Sequence, residues 1–214
     1  MKKAFLLFST LFIFTYLLAQ SKFEGEIFYE ITYEDLIDEL KVQENFLPKN
    51  MRVEIGEDYI KSIQPSLGGE QIIITNRKTQ EMLVLINVLE QKVALQINEK
   101  DFNSSSEKKT SKIQYLEERK TILGYDCKMA TINVNGSEVV VFYTKDLPRM
   151  SISPNFYEIN GFQLEIIFKT EFFTSITTAT KIEKKPVEIK MEIPKGYQRM
   201  SVEEFKEVFG ADYL

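Results

Sequence analysis

The sequence predicts a mostly β domain, an antiparallel and meandering sheet with few helices, and three observations predict it. Apolar and polar residues alternate along most of the chain, as strands with one buried face require. The breaks between the alternating runs are a few polar or glycine residues, too short for the helical crossovers that parallel strands need. Asn135-Gly136 then sits between two such runs, where a two-residue type I′ turn makes a hairpin.

The chain opens with Lys2 and Lys3, an uncharged run from Ala4 to Leu18, and Ala19 before polar sequence. That layout is a secretory leader, residues 1–19, cut after Ala19. The run is shorter than the about 20 residues of a bilayer-spanning helix. An uncleaved anchor is the alternative, since Leu17 fits poorly three positions before the chain resumes. Without a cysteine near the cut, lipoprotein anchoring is excluded. Residues 20–214 then form one domain, because no Pro/Gly/Ser linker divides them.

"KFEGEIFYEITY" places Phe23, Gly25, Ile27, Tyr29, Ile31 and Tyr33 on one side of a first strand and Lys22, Glu24, Glu26 and Glu30 on the other. Leu36, Ile37 and Leu40 at helical spacing among acids predict a short surface helix before Pro48. Five short strands follow, Met51–Ile55, Tyr59–Ile63, Gln71–Thr75, Glu81–Leu89 and Val93–Ile97. The charged, serine-rich stretch 98–112 predicts a mobile loop. In the hairpin centred on Asn135-Gly136, Val134 falls opposite Ser137, Ile132 opposite Val139 and Cys127 opposite Thr144. "GFQLEIIFKT" aligns Phe162, Leu164, Ile166 and Phe168 on one side, a β-rich run continues to Pro186, and Val187–Ile193 reads as a last strand. "MSVEEFKEVFG" predicts a helix with a Ser201/Glu204 capping box, Met200 stapled onto Phe205, Gly210 at the C-terminal cap, and Val202, Phe205, Val208 and Phe209 as its apolar face.

Composition narrows the chemistry. The 214 residues contain no histidine and one cysteine, Cys127. Histidine-based triads, cysteine–histidine pairs and histidine-ligated metals are excluded, as are an internal disulfide and cysteine-cluster metal sites. With 27 Lys+Arg against 32 Asp+Glu the net charge is −5, and losing a leader with two lysines makes it more negative. Such a chain avoids nucleic acid and anionic surfaces.

Gly124, Tyr125, Cys127 and Lys128 are the candidate chemical motif. Cys127 is either a nucleophile aided by Lys128 or Lys120, or a small side chain packed in the sheet. Neighbouring strand residues face opposite ways, and no histidine is at hand, so packing is expected. Glu34, Asp35, Asp38 and Glu39 could bind calcium, but they lack the spacing and the glycine of a calcium loop and read as a solvated face. Asn103-Ser104-Ser105 and Asn135-Gly136-Ser137 fit the N-x-S pattern, which matters only in a eukaryotic host. The 16 Phe and 10 Tyr supply either a filled core or the lining of a cavity.

"KTILGYDCKMATI" followed by "VVVFYTKDLP", then "INGFQLEI" and "MEIPKGYQRMSVEEF", resemble a domain-of-unknown-function family of secreted Gram-negative envelope proteins. That family is similar in fold to the lipoprotein carriers LolA and LolB. The resemblance implies a single strongly curved antiparallel sheet, an unclosed barrel with helices over an apolar cavity. It implies a non-enzymatic, extracytoplasmic protein, periplasmic or secreted, without cofactor or metal. A lipid or acyl chain would lie in the sheet's concavity against Ile27, Tyr29, Phe162, Leu164, Ile166 and Phe168. The alternative is an envelope scaffold that binds another protein and has a filled core.

Overall fold

The computed structural model describes residues 23–66, 68–88, 91–98, 113–134, 136–147, 149 and 159–209. The expected leader 1–19, nearly all of the expected loop 98–112, Asn103, Asn135 and the Gly210 cap lie outside the described residues. The strands are β1 Gly25–Glu34, β2 Asn50–Ile55, β3 Tyr59–Ser66, β4 Gly69–Asn76, β5 Met82–Val88, β6 Gln91–Ile97, β7 Gln114–Ile122, β8 Tyr125–Val134, β9 Ser137–Thr144, β10 Phe162–Lys169, β11 Thr174–Lys184 and β12 Gln198–Met200. Helix α1 spans Asp38–Lys41, a 3-10 turn covers Glu44–Phe46, and α2 spans Val202–Phe209.

All twelve strands share one sheet in the order β12-β6-β5-β4-β3-β2-β1-β11-β10-β9-β8-β7. β12 and β7 are its edges, so the sheet is open. Two consecutive meanders, β1–β6 and β7–β11, are joined along β1 and β11, where Gly25 pairs with Lys184 and Glu34 with Thr174. Every pairing is antiparallel except the parallel β12–β6.

Alternation produced the strands it predicts. In β1, Ile27 and Tyr29 are buried while Glu30 is exposed. The β8–β9 register follows the turn chemistry: Gly136 sits at φ +88°, and Val134 pairs with Ser137 and Ile132 with Val139. A second two-residue turn joins β7 to β8 through Leu123 (φ +52°) and Gly124 (φ +84°), both in the left-handed region. That is the conformation a type I′ hairpin demands.

The C-terminal region departs from expectation at two points. Val187–Ile193 alternates like a strand but joins no ladder. It is an extended strap whose Ile189, Met191 and Ile193, with Tyr197, pack over Ile74, Leu83, Leu85 and Ala94. The edge of the sheet is the shorter β12. In α2 the capping box forms, with the Ser201 N–H donating to Glu204 Oε2 (2.7 Å) and the Glu204 N–H to Ser201 Oγ (3.1 Å). Phe205 is fully buried beside Met200 and Val202, but Val208 points into solvent.

A β-bulge decides the faces of β10. Its register with β9 shifts between Gln163 and Glu165, so Phe162 pairs with Thr144 while Glu165 pairs with Phe142. One extra residue moves all later side chains to the other face. Phe162 and Leu164 therefore join Ile27, Tyr29, Val53, Ile55 and Cys127 in one buried cluster. Ile166 and Phe168 join Ala130, Ile132, Val139 and Val141 in another. The single apolar face expected from Phe162 to Phe168 is thus two half-faces.

Candidate functional site

The most polar buried point of the described sheet lies beyond that bulge. The Glu165 side chain is only 4% exposed, and Lys120 Nζ donates to its Oε1 at 2.8 Å and its Oε2 at 2.7 Å. Thr178 Oγ1 donates to Oε2 at 2.9 Å. The lysine arrives from β7, three strands away from β10, and passes over the Phe142 ring at 5.7 Å. In a flat sheet three strand spacings are about 14 Å, beyond what the two side chains bridge. The sheet is therefore curved toward this face, and the ion pair ties its two limbs together.

Cys127 pairs with Lys120 across β7 and β8 and is fully buried. Its Sγ–H donates to the Tyr125 carbonyl oxygen at 3.6 Å. Burial first, and then the charges of Asp126, Glu165 and Asp146, push its thiol up to about 11. Lys120, its partner across β7 and β8, has its ammonium on Glu165, and Lys128 faces away opposite Tyr143. Cys127 is thus buried in the sheet with its thiol raised, whereas nucleophilic cysteines have theirs lowered. In this motif Gly124 makes the turn and Tyr125 packs its ring on the same cluster.

The thiol yields a pH prediction. A folded-state pKa raised above the usual ~8.5 favours folding while the thiol stays protonated, and that advantage is lost as pH rises toward about 11. The stability gap between wild type and Cys127→Ala, about 1 kcal/mol at neutral pH for the lost volume, should narrow across this range. Denaturant unfolding of both chains at several pH values checks it. A constant gap, or rapid thiol labelling of the folded protein at pH 7, contradicts it.

Tyr29 and Gln163 form a second buried polar contact: the tyrosine hydroxyl donates to the Gln163 carbonyl at 2.9 Å, and Gln163 Nε2 donates to the Gly161 carbonyl at 3.1 Å. Burial raises the Tyr29 phenol far above its ordinary range. Ile27, Tyr29, Phe162 and Leu164 lie against one another with at most 2% exposure.

The acid candidates do not converge. Asp38 pairs with Lys41 at 2.8 Å on the surface, which holds its carboxyl below the usual range, and Asp35 at φ +54° accepts from Thr174 Oγ1. Among the described residues no group of three metal-ligating side chains forms. A concavity that sequence reasoning missed lies elsewhere, where the strap crosses the sheet. It is a cleft of about 400 Å³ lined by Leu83, Gln96, Met191, Glu192, Ile193 and Arg199. Reading Val187–Ile193 as a strand hid it, because a strap leaves space that a ladder closes.

Fold and site together define an open, mostly β domain whose buried charge is structural. The chain belongs to the family described as N-glycanase peptide, N-terminal domain, whose model matches residues 32–203. Two solved structures of PNGF-II share its fold. The one in space group C2 has a TM-score of 0.57 at 18% identity and covers 84% of this chain and 31% of that one. The one in P21 has a TM-score of 0.60 at 18% identity and covers 86% and 32%. The chain thus spans about a third of their length. The lipoprotein LppX of Mycobacterium tuberculosis is matched more loosely, with a TM-score of 0.38 at 9% identity over 79% of this chain and 91% of its own. No curated protein matches.

These findings correct the expectations drawn from resemblance. The chain belongs to an N-glycanase domain family, not to a domain-of-unknown-function family resembling LolA and LolB. The non-enzymatic envelope protein, whether lipid holder or scaffold, is overturned by the same match. The motifs behind the resemblance mark shape: Gly124 a hairpin turn, "GFQLEI" a bulged strand, Ser201 a helix cap. Such devices recur wherever a meandering sheet curves.

Proposed function

We propose that the chain works in the enzymatic removal of N-linked glycans, as the part of an N-glycanase that engages the glycoprotein. The observation that carries this reading is the family match over residues 32–203, which takes in every strand from β2 to β12. The leader-like start supports export, to the periplasm or beyond the cell, where an N-glycanase meets glycosylated proteins. The net negative charge argues against nucleic acid as a partner.

The test uses the purified chain and a peptide carrying one N-linked glycan. The chain should bind the glycosylated peptide more tightly than the same peptide without glycan. Depleting the chain from an extract of the producing cell should lower glycan release, read by mass spectrometry as aspartate where the glycosylated asparagine stood. No preference for the glycosylated form, together with unchanged release after depletion, overturns the proposal.

A further inference from the structure

The crossover from β1 to β2 carries apolar side chains that the core does not take up. Leu36, Ile37, Leu40, Val42, Phe46 and Leu47 follow one another closely, and neither α1 nor the 3-10 turn buries a residue. Val42 is 84% exposed and Phe46 62%, and the β10–β11 turn adds Phe172, 48% exposed. The two segments are tied together. The Ile37 N–H donates to the Phe172 carbonyl oxygen at 3.1 Å, and Tyr33 meets the Phe173 ring edge to face while its hydroxyl donates to the Pro48 carbonyl oxygen at 2.9 Å. Thr170 Oγ1 closes the turn by accepting from the Phe172 and Phe173 N–H groups, each at 3.1 Å. These apolar groups are therefore held out on a fixed platform. Beside them in the chain, Glu34, Asp35, Asp38, Glu39, Glu44 and Glu171 are exposed against Lys41, Lys49 and Lys169, and Lys41 is taken by Asp38. The rim is acidic.

We infer that this end of the seam is a docking surface for a polypeptide segment that combines apolar side chains with lysine or arginine. The inference goes beyond the N-glycan reading and does not rest on it. Exposed apolar groups gathered inside a polar rim mark an interaction site on a protein surface. Phe46 and Phe172 are aromatic anchors of the kind enriched at the centre of such contacts, with Val42 as a third apolar point. The carboxylates decide which partner is accepted. A second copy of the chain would set the same acids against these and be repelled, and an anionic bilayer would be repelled for the same reason. A basic segment with an apolar side gains from both parts of the surface: its aliphatic groups cover the two rings, and its ammonium or guanidinium groups meet the rim.

The experiment is an NMR titration of the full chain with a synthetic amphipathic peptide of leucine and lysine, and with the same peptide carrying glutamate in place of lysine. Saturable shifts are expected at Val42, Phe46 and Phe172 with the lysine peptide, and none with the glutamate peptide. Phe46→Ser and Phe172→Ser should each weaken binding about tenfold, as withdrawing one large apolar contact does. Val208→Ser, which removes a comparably exposed apolar side chain from α2, should bind like wild type. Glu39→Gln combined with Glu44→Gln leaves both rings in place and tests the rim without touching the fold. It should weaken binding several-fold at low salt, and the difference should fade as salt is added. The surface is overturned by shifts spread evenly over the acidic chain, by Val208→Ser weakening binding as much as Phe46→Ser, or by the glutamate peptide binding as tightly as the lysine peptide. Two further outcomes overturn the basic partner by naming another occupant. One is flotation of the chain with phosphatidylcholine vesicles that Phe46→Ser abolishes, and the other is a dimer in sedimentation that the same variant dissociates.

Discussion

Replacing Lys120 by methionine is expected to lower the unfolding free energy at pH 7 by about 3 kcal/mol, and replacing Glu165 by leucine in the same chain to return most of that loss. The lysine donates twice to a carboxylate that is 4% exposed, so its removal strands a charge inside the sheet. Lys120 is itself 48% exposed, and water entering from its side keeps the cost at the lower end of the about 3–5 kcal/mol typical of a broken buried pair. In the double variant no charge remains, and only the Thr178 hydroxyl loses its acceptor, at about 1 kcal/mol. Denaturant unfolding of wild type, both single variants and the double variant closes the cycle. If Lys120→Met stays within about 0.5 kcal/mol of wild type, the pair behaves like an exposed surface bridge and the tie between the two limbs is lost as an explanation.

The second large effect is expected at Gly25, on the seam between the meanders. A Cβ there would fall inside contact distance of the Glu183 carbonyl oxygen, which is backbone and cannot rotate away. Gly25→Ala should therefore cost about 3 kcal/mol by forcing β1 and β11 apart. Gly136→Ala is the control, because a Cβ there meets nothing within 4 Å. Its φ of +88° alone should cost about 1 kcal/mol. Unfolding midpoints that rank the two variants the other way would mean that backbone conformation, not close approach, limits this sheet.

Local chemistry was legible in the sequence and curvature was not. The β1 pattern, the register around Gly136 and the Ser201–Glu204 cap follow from residues within a few positions of one another, and each forms as read. The bulge between Gln163 and Glu165 has no residue-type signature, so the apolar run from Phe162 to Phe168 looked like one face. Val187, Ile189, Met191 and Ile193 alternate as strands do, and whether such a segment pairs or lies across the sheet depends on neighbours that alternation does not encode. Lys120 and Glu165 are far apart in sequence and meet only because the sheet bends. The motifs read as a lipid carrier's were the turns, bulge and cap of such a sheet, which do not report on what the domain handles.

The seam along β1 and β11 also sets the order in which the chain can fold. Each meander pairs strands that are neighbours in sequence, contacts of lower order than the seam's. The seam joins the first strand to residues near position 180, with Gly25 meeting Lys184, so the loop it closes takes in nearly all of the domain. Loop-closure entropy makes that docking the slow step. Until the seam closes, β1 and β11 each present an unpaired edge, and a second copy's β1 offers the same ladder as the chain's own. Exchange of this one strand between two chains is accordingly the misassembly that the topology favours.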